Sequence, residues 1–167
     1  DACERYGLVL PSLEEKTLKE LRSRLPPNAS LNNPVDLLGD AQEDRYEIAL
    51  KTVMQDANVD AMICLLTPQV QTKIEEVART ITRVTAGWQK PVLACFIGYF
   101  DVTSGRRILD ENGIPNYEFP EDAARTIATI YEYDRSRERP RKQVRRFDVD
   151  MKKARSIFEK VRREGRR

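Results

Sequence analysis

Asn33, Asp36, Thr67 and Gly98 are the residues of this chain whose types and positions could do chemistry. Asn33 offers a donor and an acceptor, Thr67 a hydroxyl, Asp36 a carboxylate, and Gly98 lets a backbone approach a ligand closely. Open α/β sheets bind ligands beyond the carboxyl ends of their strands, and the loops at that edge should carry these four. A carboxylate there repels phosphate unless Mg²⁺ or a cationic group intervenes. The other reading is that Asn33 and Asp36 hydrogen-bond neighbouring loop N–H groups and fix their own turn. Arg106-Arg107 serves either a phosphate or a solvated helix face, and Tyr99-Phe100 either covers a ligand or caps the sheet.

The chain contains no histidine. That removes the commonest general base and the Ser-His and Cys-His nucleophile pairs, so no catalytic residue is assigned within this stretch. Cys3, Cys64 and Cys95 are too few and too scattered for a zinc site or a disulfide framework, and no metal site is expected. Cys64 and Cys95 sit in apolar runs and read as buried reduced thiols, which points to a cytoplasm. No P-loop, GxGxxG or GxSxG pattern occurs.

Charge divides the chain. From Arg135 to Arg167 there are 15 Lys/Arg against 5 Asp/Glu, a net +10, whereas the first 134 residues hold 14 against 22, a net −8. An acidic body with a basic tail is not the profile of a nucleic-acid-binding domain, and the tail lacks RNP-like motifs and Gly-flanked aromatics. No apolar run approaches the roughly 20 residues of a membrane span. Neither nucleic acid nor membrane is therefore expected as a partner.

The elements that must position the candidate residues follow from periodicity. Asp1 to Tyr6 reads as the last turns of a helix ended by Gly7, so the chain is expected to begin inside an element. Leu8-Val9-Leu10 predicts a short buried strand. Ser12 with Glu15 predicts a capping box, and Leu18, Leu21 and Leu25 the apolar stripe of the helix it opens. Asn33-Pro34 predicts a stiff turn, and Asp40 the N-cap of a helix carrying Tyr46, Ala49, Leu50, Val53 and Met54 on one face. Ala61–Leu66 and Val92–Ile97 are continuously apolar, as central parallel strands are, and a helix bearing Ile74, Val77, Ala78, Ile81 and Val84 separates them. A helix over Ser104–Asn112, an edge strand at Tyr117-Glu118-Phe119 and a helix opened by Pro120 follow. Asp134–Arg146 reads as a linker, and Asp150 caps a last helix with a narrow stripe of Ala154, Ile157, Phe158 and Val161.

The fold class is α/β: an open parallel sheet with helices on both faces, flavodoxin-like, lacking its first strand in this stretch. Residues 1–134 form that domain, and residues 135–167 a basic linker and helix leading to a following domain.

With these residues in view, the chain resembles the NDP-forming acyl-CoA synthetases, the superfamily of ADP-forming acetyl-CoA synthetase and succinyl-CoA synthetase. The likeness is carried by Asp1-Ala2-Cys3 through Leu8, Asn33-Pro34-Val35-Asp36, Gly39-Asp40-Ala41, Tyr46, Asn58-Val59-Asp60, Lys90-Pro91-Val92, Gly113-Ile114-Pro115 and Pro120-Glu121-Asp122-Ala123. Their order resembles the flavodoxin-like ligase domain that follows the histidine-bearing domain, and Phe147 to Arg166 is similar to the lead-in to an ATP-grasp domain.

The resemblance implies a relay. Acyl-CoA and phosphate give acyl phosphate and CoA, a histidine takes the phosphoryl group and frees the acid, and ADP takes it in turn to give ATP. It implies CoA, ADP/ATP and Mg²⁺ in the parent protein and none of them in this stretch alone. It also implies His-bearing and ATP-grasp domains as partners, in the same protein or a partner subunit, and an oligomer. The domain would support the phosphohistidine site rather than catalyse. Gly98-Tyr99-Phe100 departs from the paired glycines that relatives often have there. The alternative is the regulatory or ligand-sensing body of a synthetase-like protein acetyltransferase.

Overall fold

The computed structural model describes residues 1–98, 101–138, 148 and 150–165, and within it two compact units, Asp1–Ser136 and Arg137–Arg167. The expectations placed on Tyr99-Phe100 and on residues 139–147 lie outside the described residues.

The first unit is built on three parallel strands in the order β1 (Met62–Leu66), β2 (Val92–Phe96), β3 (Asn116–Tyr117). Helices α1 (Ala2–Arg5), α2 (Glu15–Arg24), α3 (Glu43–Val53), α4 (Ile74–Thr85), α5 (Thr103–Glu111) and α6 (Pro120–Glu138) precede, separate and follow them. The two expected apolar runs became β1 and β2, paired in register from Met62↔Val92 to Leu66↔Phe96. Cys64, Leu66, Ala94 and Phe96 share one face, onto which Leu50 and Met54 of α3, Val77, Ala78 and Ile81 of α4 and Leu109 of α5 pack. The helical spacing read from the sequence is therefore the spacing of this core. On the opposite face Leu93 and Cys95 are buried too.

A second, smaller core joins α2 to the loop before α3. Leu13, Leu21, Leu25 and Val59 are buried there, with Leu18, Val35, Leu37 and Val53 against them. Burying one such aliphatic side chain is worth about 1.5–3 kcal/mol, so this cluster is enough to dock α2.

Several expectations are corrected. Leu8-Val9-Leu10 forms no strand, and Val9 is 82% exposed, because no described strand lies alongside to pair with it. The Ser12 capping box does not form. Helix α2 starts at Glu15 without a side-chain cap of its own, and Asp56, 42 residues along the chain, accepts the Glu14 N–H at 2.8 Å instead. Asp40 does not cap α3, which starts after Gln42. Its carboxylate instead takes a two-pronged pair from Arg45, a more favourable partner than one backbone N–H. The edge strand is only Asn116–Tyr117, and Phe119 is exposed. Helix α6 runs past the expected linker start at Asp134 to Glu138, since the charged residues there favour a helix as readily as a coil.

In the second unit α7 (Met151–Arg163) is capped by Asp150, which accepts the Lys153 N–H at 3.0 Å. No residue of this helix is buried.

Helices α3 and α4 are also tied by charge. Both oxygens of Glu47 accept from Arg83 (3.2 and 2.9 Å), and Lys51 adds a second cation. Arg83 first, then Lys51, hold the Glu47 carboxyl at about 2 rather than 4.5. A carboxyl depressed on folding contributes fully above the unfolded value, and the contribution is lost as pH falls towards 2. Glu47→Gln is expected to cost about 1 kcal/mol at pH 7, a modest figure because the side chain meets solvent, and to cost nothing below pH 2. Urea unfolding at pH 7 and pH 2 checks it.

Candidate functional site

The carboxyl edge of the sheet is formed by the segments leaving β1 and β2. Thr67 and Pro68 follow β1; Gly98 stands two residues beyond β2. Gly98 has φ +151°, and a Cβ there would sit 3.3 Å from Pro68 Cδ, so these two segments lie against each other and glycine suits the contact. Thr67 is exposed.

Tyr46 of α3 reaches this edge. The Tyr46 hydroxyl donates to the Leu65 carbonyl at 2.9 Å, and burial first, then Cys64 and Asp36, push that hydroxyl far above its ordinary 10. It stays a proton donor at any physiological pH. Asp36 itself is exposed, and its Oδ1 accepts the Leu38 N–H at 2.9 Å. That bond holds Leu38 at φ +70°, a left-handed conformation that a bulky side chain seldom takes. The carboxylate thus shapes the loop. Its backbone N–H bonds Ser30 O at 2.9 Å and closes the loop base. Asn33 is drawn elsewhere: its Nδ2 donates to Pro11 O at 3.2 Å, and the Asn33–Pro34 peptide is cis. The Pro68 and Gly98 segments thus meet at the edge, whereas Asp36 is bonded within its own loop and Asn33 to the segment before α2.

Arg106 and Arg107 are both engaged. Arg106 Nη2 donates to Phe96 O at 2.9 Å, at the end of β2, and Arg107 pairs with Glu111 in its own helix. Asp101 accepts the Thr103 N–H at 2.8 Å and places a negative charge at the start of α5. An anion at that helix terminus would meet a carboxylate.

Two residues that sequence reasoning passed over organise the edge. Gln42 donates through Nε2 to Gln71 O (3.1 Å) and accepts the Lys73 N–H at Oε1 (3.1 Å), so one side chain joins the entries of α3 and α4. Gln69 N–H donates to the Thr72 hydroxyl at 2.8 Å and closes the turn before α4. A glutamine directly before an apolar-periodic segment was the available signal for the first.

Burial pushes the Cys64 thiol up to about 12 and the Cys95 thiol, despite Arg106, up to about 11, so neither is a nucleophile near neutrality. Among the described residues no group of three or more His, Cys, Asp or Glu is placed to hold a metal ion. No helix among them is long and apolar enough to cross a membrane. The edge offers main-chain groups and the Thr67 hydroxyl.

A family model described as the Ligase-CoA domain matches residues 1–140. Over its whole length the chain is 33% identical to the ADP-forming acetate–CoA ligase I of Archaeoglobus fulgidus, of which it covers 24%. It is 40% identical over 132 residues to the alpha subunit of the ADP-forming acetate–CoA ligase II of Pyrococcus furiosus, covering 74% of this chain and 28% of that subunit. A solved structure from Pyrococcus horikoshii superposes with a TM-score of 0.77 at 37% identity, over 83% of this chain and 33% of that one. The chain thus spans about a quarter of the length of the curated relatives it matches.

Proposed function

Because the chain belongs to the Ligase-CoA domain family, we propose that it serves as the flavodoxin-like domain of an ADP-forming acyl-CoA synthetase, supporting a phosphohistidine held by other domains. The observation that carries this reading is that the whole chain, tail included, aligns with a single ADP-forming acetate–CoA ligase while spanning a quarter of it. Its relatives are domains or subunits of larger synthetases.

The division of labour follows from the residues. With no histidine in the chain, the phosphohistidine of the relay is carried by another domain. The reacting histidine, CoA, ADP/ATP and Mg²⁺ belong to the parent protein. There a His-bearing domain and an ATP-grasp domain, in the same polypeptide or a partner subunit, complete an oligomer in the cytoplasm. Residues 1–134 are the ligase domain proper, and residues 135–167 lead into the next one. Thr67 and Gly98 stand on the sheet edge that faces those partners, Asp36 shapes the loop before α3, and Asn33 ties that loop to Pro11.

The test uses the full-length protein with labelled ATP and Mg²⁺. Acid-labile, base-stable labelling is expected. Its absence from correctly folded protein would sink the relay and favour a regulatory body of the acetyltransferase kind. Asp36→Ala should loosen its loop and cost about 1 kcal/mol, the worth of one hydrogen bond, with turnover of the parent falling no further than that loss of fold explains. Unchanged stability with lost turnover would assign the carboxylate a direct part.

A further inference from the structure

Asn112-Gly113 is the one Asn-Gly pair in the sequence, and nothing in the function proposed above employs it. Such a pair has a chemistry of its own. The side-chain amide carbon of asparagine comes within reach of the next residue's main-chain nitrogen, and a following glycine, lacking Cβ, leaves that nitrogen unshielded. The structure sets the pair in the open: it closes α5 on the way into β3, and Asp110, Glu111, Asn112 and Gly113 are all exposed. Few bonds hold it. Asn112 Nδ2 donates to Ile108 O at 2.8 Å, and the Gly113 N–H donates to Asp110 O at 3.1 Å with Gly113 at φ +73°. These bonds keep the two reacting groups on separate acceptors, and an exposed last turn opens at little cost.

Positioning β3 falls to this same turn. The Ile114 N–H bonds Leu109 O at 2.9 Å, and Pro115 O accepts the Ala94 N–H of β2 at 2.8 Å. Asn116 Nδ2 reaches back to Asp110 Oδ1 at 3.0 Å. Ile114 also packs against the main core. The strand itself is only Asn116 and Tyr117, so its place beside β2 depends on the length of main chain between Leu109 and Pro115.

We propose that Asn112-Gly113 is a site of spontaneous deamidation, and that its isoaspartyl product loosens β3 from β2. The Gly113 nitrogen, giving its proton to water, attacks Asn112 Cγ. The new N–Cγ bond forms, the Cγ–Nδ2 bond breaks, ammonia leaves, and a cyclic imide remains. Water then opens the ring at either carbonyl to give aspartate or isoaspartate, with nothing oxidised or reduced. Aspartate sets a carboxylate against Ile108 O at the negative end of α5, where a cation would be favoured. Isoaspartate does more, because it inserts the side-chain methylene into the main chain. That lengthens the link whose fit places Ile114 on Leu109 and Pro115 O on Ala94.

Incubating the full-length protein at neutral pH and mild heat, followed by peptide mass spectrometry and isoaspartyl-specific methylation, tests this. Aspartate and isoaspartate are expected at Asn112 ahead of every other asparagine. Gly113→Ala should slow the conversion by at least an order of magnitude. A side chain at φ +73° strains the turn towards opening, so slowing can come only from the shielded nitrogen. The Ala94 amide should exchange at least about 10-fold faster in the isoaspartyl form, as an amide leaving a ladder does. Asn112→Asp, which carries the charge without the extra carbon, should keep that exchange slow. An Asn112 that stays intact in the protein while the excised peptide converts overturns the site. Conversion of Gly113→Ala at the wild-type rate overturns attack by the glycine nitrogen, and unchanged Ala94 exchange in the isoaspartyl form overturns the release of β3.

Discussion

Replacing Asp56 with alanine is expected to lower the unfolding free energy by about 3 kcal/mol, since it removes a buried acceptor from the Thr17 hydroxyl and two part-buried N–H groups at once. Asp56 is wholly buried. Burial alone would raise its carboxyl, but the Thr17 hydroxyl and the N–H groups of Glu14 and Asn58 outweigh that and hold it below the ordinary range. Its oxygens accept the Glu14 N–H at 2.8 Å and the Asn58 N–H at 2.9 Å, while Lys90 Nζ bonds its main-chain oxygen at 2.7 Å. One residue thereby starts α2, shapes the turn into β1 and meets the lead-in to β2. The carboxyl is depressed on folding, so its contribution is complete above the unfolded value of 3.8 and drains away as pH falls below it. Urea unfolding of the wild type and Asp56→Ala at pH 7 measures the effect. A difference under about 1 kcal/mol would mean that water replaces the carboxylate without cost.

The second large effect concerns Gly105 on α5. A Cβ at this position would lie 2.6 Å from Ile74 Cγ2 and 3.0 Å from Phe96 Cε2. Phe96 is fully buried and cannot retreat. Glycine lets α5 settle directly onto the end of β2 and the start of α4. Helix propensity alone predicts that Gly105→Ala stabilises by about 1 kcal/mol. Overpacking reverses the sign, to an expected net loss of about 1–2 kcal/mol for alanine and about 3 kcal/mol for valine. Thermal unfolding decides: a more stable Gly105→Ala protein would show that the two helices can move apart.

Where one face of an element meets one core, the sequence was readable. The stripe of α4 and the unbroken apolar runs of β1 and β2 describe the central layer almost residue by residue, because burial leaves a period of its own. What local pattern could not show was long-range polar pairing. Ser12 and Glu15 have capping-box spacing, but Asp56 won the competition from 42 residues away. Asp40 has the chemistry of an N-cap, and a guanidinium five residues on claimed it. Leu8-Val9-Leu10 has the composition of a strand, and composition is silent on whether a neighbouring strand exists. At the candidate edge the residue types of Thr67, Gly98 and Asp36 were visible in the sequence, but the turning of Asn33 towards Pro11 was not. The link from Tyr46 to Leu65 O spans 19 residues and follows from no spacing rule.

The Gln42 amide has a mechanical meaning. By gripping Gln71 O and the Lys73 N–H with its two ends, it makes the entries of α3 and α4 a single hinge leaf rather than two free loops. Two helix starts 31 residues apart in the chain thereby share one anchor, and Gln42→Ala would free both at once.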